Sequence, residues 1–141
     1  MDHLLIVTEQ DSFYTTLERR LSDCYAIRRC RSIAQVQPLV DQGQVAVLLL
    51  DCPADDAPFC EFLRQNELTH PFLECTAVME PESFCRLAPS KSHNLFALLR
   101  PVELDDVARA LRETKSKLAR AAAFSFTSDP VFVRQQEQRF W

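Results

Sequence analysis

Short apolar runs alternate along the chain with stretches whose apolar residues recur every three or four positions. Leu4-Leu5-Ile6-Val7 is the first run, ended by Thr8-Glu9-Gln10-Asp11, and it predicts a buried strand. Phe13, Leu17 and Leu21 then mark one face of a helix that Asp11 or Ser12 can cap. Tyr25-Ala26-Ile27 with Cys30 predicts a weaker strand near a sheet edge, because arginines interrupt it. Ile33, Val36, Leu39 and Val40 return to helical spacing; Pro38 shortens or kinks that helix and Gly43 closes it. Val45-Ala46-Val47-Leu48-Leu49-Leu50, bounded by Gly43 and Asp51, has the pattern of a central parallel strand covered on both faces. Pro58 opens the next helix, striped by Phe59, Phe62 and Leu63. Pro71 to Cys75 predicts a fourth strand, Pro81 to Leu87 a brief helix, and Leu95 to Leu99 a fifth strand ending at Arg100-Pro101. Leu104, Val107, Leu111, Thr114 and Leu118 define a long amphipathic helix, with Glu113 and Lys117 paired at i, i+4.

A strand followed by a helix, five times over, predicts an α/β fold: a three-layer (βα)5 doubly wound parallel sheet with helices on both faces. Phe124 to Pro130 breaks the helical pattern and Val131 to Trp141 resumes it. The expected organisation is one domain over 1–123, then a linker and the start of a further helix over 124–141. A chain stopping on Phe140-Trp141 is expected to be a segment of a longer protein.

Composition narrows the chemistry. The apolar fraction of 47% and charged fraction of 26% over 141 residues suit a folded globular domain. Gly43 is the single glycine, which excludes the glycine-rich loops that cradle nucleotide phosphates. A net charge of −4 argues against nucleic acid as a direct partner. No apolar run approaches the roughly 18 residues of a membrane span, and the N-terminus is too short and acidic for a signal peptide. Cys24, Cys30, Cys52, Cys60, Cys75 and Cys85 form no C-x-x-C pair, so free thiols in a reducing cytoplasm are expected.

In an open sheet of this kind, ligands bind outside the carboxyl ends of the strands. With strand order 2-1-3-4-5, strands one and three are neighbours, so Glu9 and Asp51 converge. Two close carboxylates repel unless a cation intervenes, and Mg²⁺ takes one or two carboxylates while keeping several waters. A hydroxyl at Thr76 and a cation at Arg100 can hold the remaining oxygens of a phosphoryl group. Plainer readings stand beside these. Glu9 and Asp11 can simply complement a helix dipole, Thr76 can be a cap, and Arg100 can pair with Asp51. His3, His70 and His93 are scattered, and no Ser-His-Asp or Cys-His set stands at the strand ends.

From Leu4 to about Ala121 these residues resemble the receiver domains of two-component response regulators, whose fold is flavodoxin/CheY-like. The family's first strand precedes an acidic pair, matched by Thr8-Glu9. Its phosphoacceptor aspartate matches Asp51, its switch Thr/Ser-Ala matches Thr76-Ala77, and its Lys-Pro, joined by a cis bond, matches Arg100-Pro101. The resemblance implies Mg²⁺ at Glu9, Asp51 and the backbone carbonyl of Pro53, with Thr76 and Arg100 on the phosphoryl group. It also carries departures. Thr8 replaces an acid and Arg100 replaces lysine. The Asp-Gly expected after the acceptor loop is missing, and Ala97 stands where the family has an aromatic switch residue.

The implied function is a cytoplasmic signal receiver that takes phosphoryl at Asp51 from a sensor histidine kinase and controls dimerisation or a C-terminal transcriptional output domain. The tail resembles the front of AraC-type two-component regulators, in which DNA binding would belong to that further domain. The alternative is a degenerate pseudo-receiver, a phosphorylation-independent dimerisation or interaction module. An independent enzyme is disfavoured: a haloacid-dehalogenase-type phosphatase needs a second Asp at the position of Pro53.

Overall fold

The computed structural model describes residues 2–83 and 95–125, with side chains described through Lys115. Five strands form one parallel sheet: β1 (His3–Val7), β2 (Ala26–Cys30), β3 (Val47–Asp51), β4 (Glu74–Met79) and β5 (Leu95–Leu99). Their order is β2-β1-β3-β4-β5, with every neighbouring pair parallel. The helices are α1 (Asp11–Leu21), α2 (Val36–Asp41), α3 (Ala57–Thr69) and α4 (Leu104–Ser125). This is the doubly wound architecture expected from the alternating pattern, and the strand order is the expected 2-1-3-4-5.

The period-two alternation of the strands sorts their side chains to two cores. Leu4, Ile6, Val47, Leu49 and Val78 pack against Phe13, Leu17 and Leu21 of α1 and Val107 and Leu111 of α4. Leu5, Val7, Leu48, Leu50, Cys75, Ala77 and Met79 pack against α2 and α3. Tyr25 is buried between layers and donates its hydroxyl to the Leu111 carbonyl at 2.7 Å. β2 lies at the sheet edge, as its arginines predicted.

Local chemistry adjusts several expected boundaries. Ile33–Gln35 forms a 3₁₀ turn before α2. Pro38 then falls in the first turn of α2, where a missing N–H costs nothing. Gly43 adopts φ 70 and donates its N–H to Val40, the left-handed stop that glycine favours. α1 is capped by neither Asp11 nor Ser12: Gln10 precedes its first turn without a side-chain cap bond, and Asp11 turns instead to Arg29 and Arg31.

The largest correction concerns β4. It begins at Glu74, not Pro71, and continues to Met79. Pro71 has no N–H for a ladder, and Phe72 is 76% exposed. Thr76 therefore lies inside the strand, where its hydroxyl gave the misleading signal of a strand end. Pro81, Glu82 and Ser83 are helical, and the rest of the helix expected to Leu87 lies outside the described residues. α4 continues through Ser125, so the pattern break expected from Phe124 does not end it there; the remainder of the expected linker lies outside the described residues. Cys24, Cys30, Cys52, Cys60 and Cys75 are free thiols, and Cys85 lies outside the description. Among the described residues no helix is long and apolar enough to cross a membrane.

Candidate functional site

Asp51 is the last residue of β3, and its neighbour across the sheet on β4 is Val78. The burial of Leu48, Leu49 and Leu50 fixes β3 rigidly, so the carboxylate emerges at one defined point above the sheet. Both of its oxygens are engaged. Arg100 Nη2 donates to Oδ1 at 2.6 Å, and Thr8 Oγ1 donates to Oδ2 at 2.7 Å. The Asp51 side chain is only 8% exposed and that of Arg100 27%. The pair is thus partly shielded from water, and its attraction exceeds that of a surface ion pair.

The contacts continue on both sides. Arg100 Nη1 also donates to Glu80, the residue after β4, at 3.4 Å. Thr8 accepts the N–H of Gln10 on its hydroxyl at 3.0 Å. Arg29, on β2, donates to the Thr8 carbonyl at 3.1 Å. Arg29 is held in turn by Asp11 at 2.7 Å and lies over the Tyr14 ring, 5.1 Å from its centroid. The Arg29 bond and Arg31 hold the Asp11 carboxyl below its ordinary pKa. A polar chain from Arg29 through Thr8, Asp51 and Arg100 to Glu80 therefore links the carboxyl ends of all five strands.

Glu9, Asp51, Pro53 and Arg100 border one cavity of about 290 Å³, together with Arg31 and Asp55. Asp51 and Arg100 also border a second cavity of about 520 Å³ on the side of Glu80 and Leu104. The ion pair forms a wall between the two. Glu9 is exposed and makes no hydrogen bond or ion pair among the described residues. Of the residues expected to meet, Asp51, Arg100, Glu9 and Pro53 are together.

Thr76 is not with them. It pairs with Leu49 and Phe96, two residues down the strand from Val78 and roughly 6–7 Å away along it. It shares the α1/α4 side of the sheet, and the end of β4 is occupied by buried Met79 instead. The hydroxyl that reaches Asp51 belongs to Thr8, which the sequence marks only as the missing acid. Glu80 was missed as well, because the expected β4 stopped before it. Arg100-Pro101 is a cis bond, as expected. Ala97 packs toward α2 and α3, while Phe96 alternates to the other face and is 52% exposed.

The residues present do not fit a resident Mg²⁺. A hard cation needs carboxylate charge that no neighbouring cation has taken, and the charge of Asp51 is already paired with Arg100. Glu9 is then the sole carboxylate of the expected pair without an ion-pair partner among the described residues. Cys52, beside Asp51, is buried; its pKa is pushed up to about 12 by burial and then by Asp56, so it is a neutral thiol and no nucleophile.

No family model matches the chain, and no curated protein matches it in sequence. Its fold matches many solved structures. A CheY-like response regulator receiver domain protein from Methanospirillum hungatei superposes with a TM-score of 0.69 at 14% identity, covering 85% of this chain and 98% of that one. The BeF3-activated receiver domain of DrrB gives 0.63 at 14% identity, over 80% of this chain and 96% of that one. An orphan response regulator of H. pylori gives 0.64 at 12% identity, over 81% of this chain and 95% of that one. The fold is that of response-regulator receiver domains.

Proposed function

We propose that this chain is a receiver-fold signalling module that docks, onto a second copy of itself or another protein, in a fixed Asp51–Arg100 state and without phosphoryl transfer. The engagement of both Asp51 oxygens, by Arg100 at 2.6 Å and Thr8 at 2.7 Å, carries this reading. An acceptor aspartate needs one oxygen free to attack phosphorus and a concentration of positive charge to draw the phosphoryl group in. Here the positive charge is already neutralised by Asp51 itself. The arginine takes the role that a bound cation plays in holding a strand-end carboxylate, and the threonine completes the set. Asp51→Asn is expected to leave oligomeric state and partner binding unchanged in sedimentation and pull-down measurements. Loss of either in a variant that still folds contradicts the proposal.

A second reading keeps Asp51 as phosphoryl acceptor from a sensor histidine kinase. It is favoured by the position of Asp51 at the end of β3 beside a 290 Å³ cavity that Glu9 and Pro53 also border. In that reading Arg100 must swing from Oδ1 before reaction and then hold a phosphoryl oxygen. Thr76 could take part only if β4 slid in register, which its ladders with β3 and β5 oppose. In both readings the residues after Ser125 lead to an output domain, to which any DNA binding would belong. Acetyl phosphate with Mg²⁺ followed by intact-mass spectrometry separates the two: an Asp51 adduct supports the second reading alone.

A further inference from the structure

Away from Asp51, a surface cleft of about 520 Å³ opens where the last turn of α1 meets the N-terminal part of α4. Arg19, Arg20, Arg109 and Arg112 line it, with Asp23 and Asp105. Four of the chain's 16 lysines and arginines thus face one concavity in a protein of net charge −4. The two lining carboxylates leave two positive charges (4 − 2), and Asp106, which touches Arg109 from outside the cleft, leaves one.

The four guanidinium groups are not equivalent. Arg112 is fixed: it donates to the Arg20 carbonyl at 2.6 Å, the Cys24 sulfur at 3.1 Å and Asp23 at 3.3 Å. Arg20 is paired with Asp105. Arg109 has only an exposed i,i+3 contact to Asp106 at 3.4 Å, and Arg19 has no ion-pair partner among the described residues. Arg19 and Arg20 alone would be ordinary complements to the negative end of the α1 dipole. That account does not reach Arg109 and Arg112, which lie well inside α4. Arg20, Arg109 and Arg112 each have a carboxylate neighbour, but the Arg109–Asp106 contact is long and exposed, so Arg19 and Arg109 are the two guanidinium groups open to an anion.

We propose that this cleft binds a small polyphosphate-bearing anion, held by Arg19 and Arg109 over the fixed guanidinium of Arg112. Guanidinium forks match phosphate oxygens two at a time, and a phosphate chain supplies several negative charges within a few ångströms. The cleft is open to solvent, so an anion would be held there by the charged lining and not by enclosure. The acid balance of the chain opposes a long nucleic acid but leaves a short anion free to enter.

The test is titration of tripolyphosphate into the ¹⁵N-labelled chain at about 150 mM salt, where long-range attraction is screened. Saturable shifts are expected at the amides of Ser22, Asp23 and Arg109 and at the arginine Nε–H groups. Arg19→Gln with Arg109→Gln, both exposed and helix-compatible, is expected to weaken binding about tenfold or more. Arg100→Gln is expected to leave it unchanged, which separates this cleft from the Asp51 site. A parallel titration with ATP distinguishes the ligand's source: equal affinity means that the phosphate chain alone is read, and tighter binding means a nucleotide. Shifts that do not saturate, that survive the double variant or that vanish with Arg100→Gln overturn the proposal. So does a response to poly-glutamate with none to tripolyphosphate, which would mark the cleft as a docking point for acidic protein.

Discussion

Thr8 shows how one substitution redirects a site. A carboxylate at that position would face Asp51 and require a cation between them; a hydroxyl donates to Asp51 directly, at 2.7 Å. Thr8→Val keeps the shape and removes the donor, leaving a shielded carboxylate oxygen short of a partner. A loss of about 1–3 kcal/mol in denaturant unfolding is expected. Arg100→Gln removes the charge partner and is expected to cost about 2–4 kcal/mol, near the lower end for breaking a buried pair because Arg100 is partly exposed. Asp51→Asn in the Arg100→Gln background is expected to restore part of that loss, which a double-mutant cycle measures. The buried thiols give a pH signature. Burial raises Cys52 and Cys75 from 9.0 to about 12. Their contribution to stability is therefore whole below about pH 9 and is lost as pH rises toward about 12. Melting temperature is expected to fall over that window. At neutral pH a thiol reagent is expected to label half-buried Cys24 well before Cys52 or Cys75.

At the scale of elements, β4 decides which residues meet. Its ladder with β3 sets Thr76 beside Leu49, below the site, and brings Glu80 to Arg100. Thr76→Val is accordingly expected to change stability by less than about 1 kcal/mol. It is also expected to leave the Arg100 Nε–H resonance in place, whereas Asp51→Asn shifts it. Leu49→Ala, in the same layer but at the centre of the sheet, is expected to cost about 2–5 kcal/mol. These strands differ in how plainly the sequence announces them. A run of six apolar residues before an aspartate announces β3, which forms from Val47 to Asp51, two residues later than the run begins; β5 is an apolar run closed by Arg-Pro and stands where the pattern puts it. β4 carries a threonine inside and a proline and a phenylalanine before it, so hydropathy alone moved it toward the N-terminus. Asp51, Glu9, Pro53 and Arg100 were legible because each follows a clear strand. Thr8 and Glu80 were not, since their roles depend on which side chain reaches across the sheet, which no linear spacing records.

For the molecule as a whole, the polar chain from Arg29 to Glu80 joins the carboxyl ends of all five strands where a receiver fold would be expected to open for phosphate. Both Asp51 oxygens are satisfied, by Thr8 and Arg100, while the Nε of Arg29 is buried without a hydrogen-bond partner among the described residues. A switch needs two states within a few kcal/mol of each other, and an input that binds one of them better. On the proposed reading the Asp51–Arg100 pair holds one of the two states, so that regulation enters elsewhere. The most direct measurement is the ¹H–¹⁵N spectrum of the chain with and without beryllofluoride and Mg²⁺, paired with intact mass after acetyl phosphate treatment. The account predicts an unchanged spectrum around Asp51, Thr8 and Arg100 and no added phosphoryl mass. Saturable shifts at those three residues, with a phosphoryl adduct that Asp51→Asn abolishes, would contradict it.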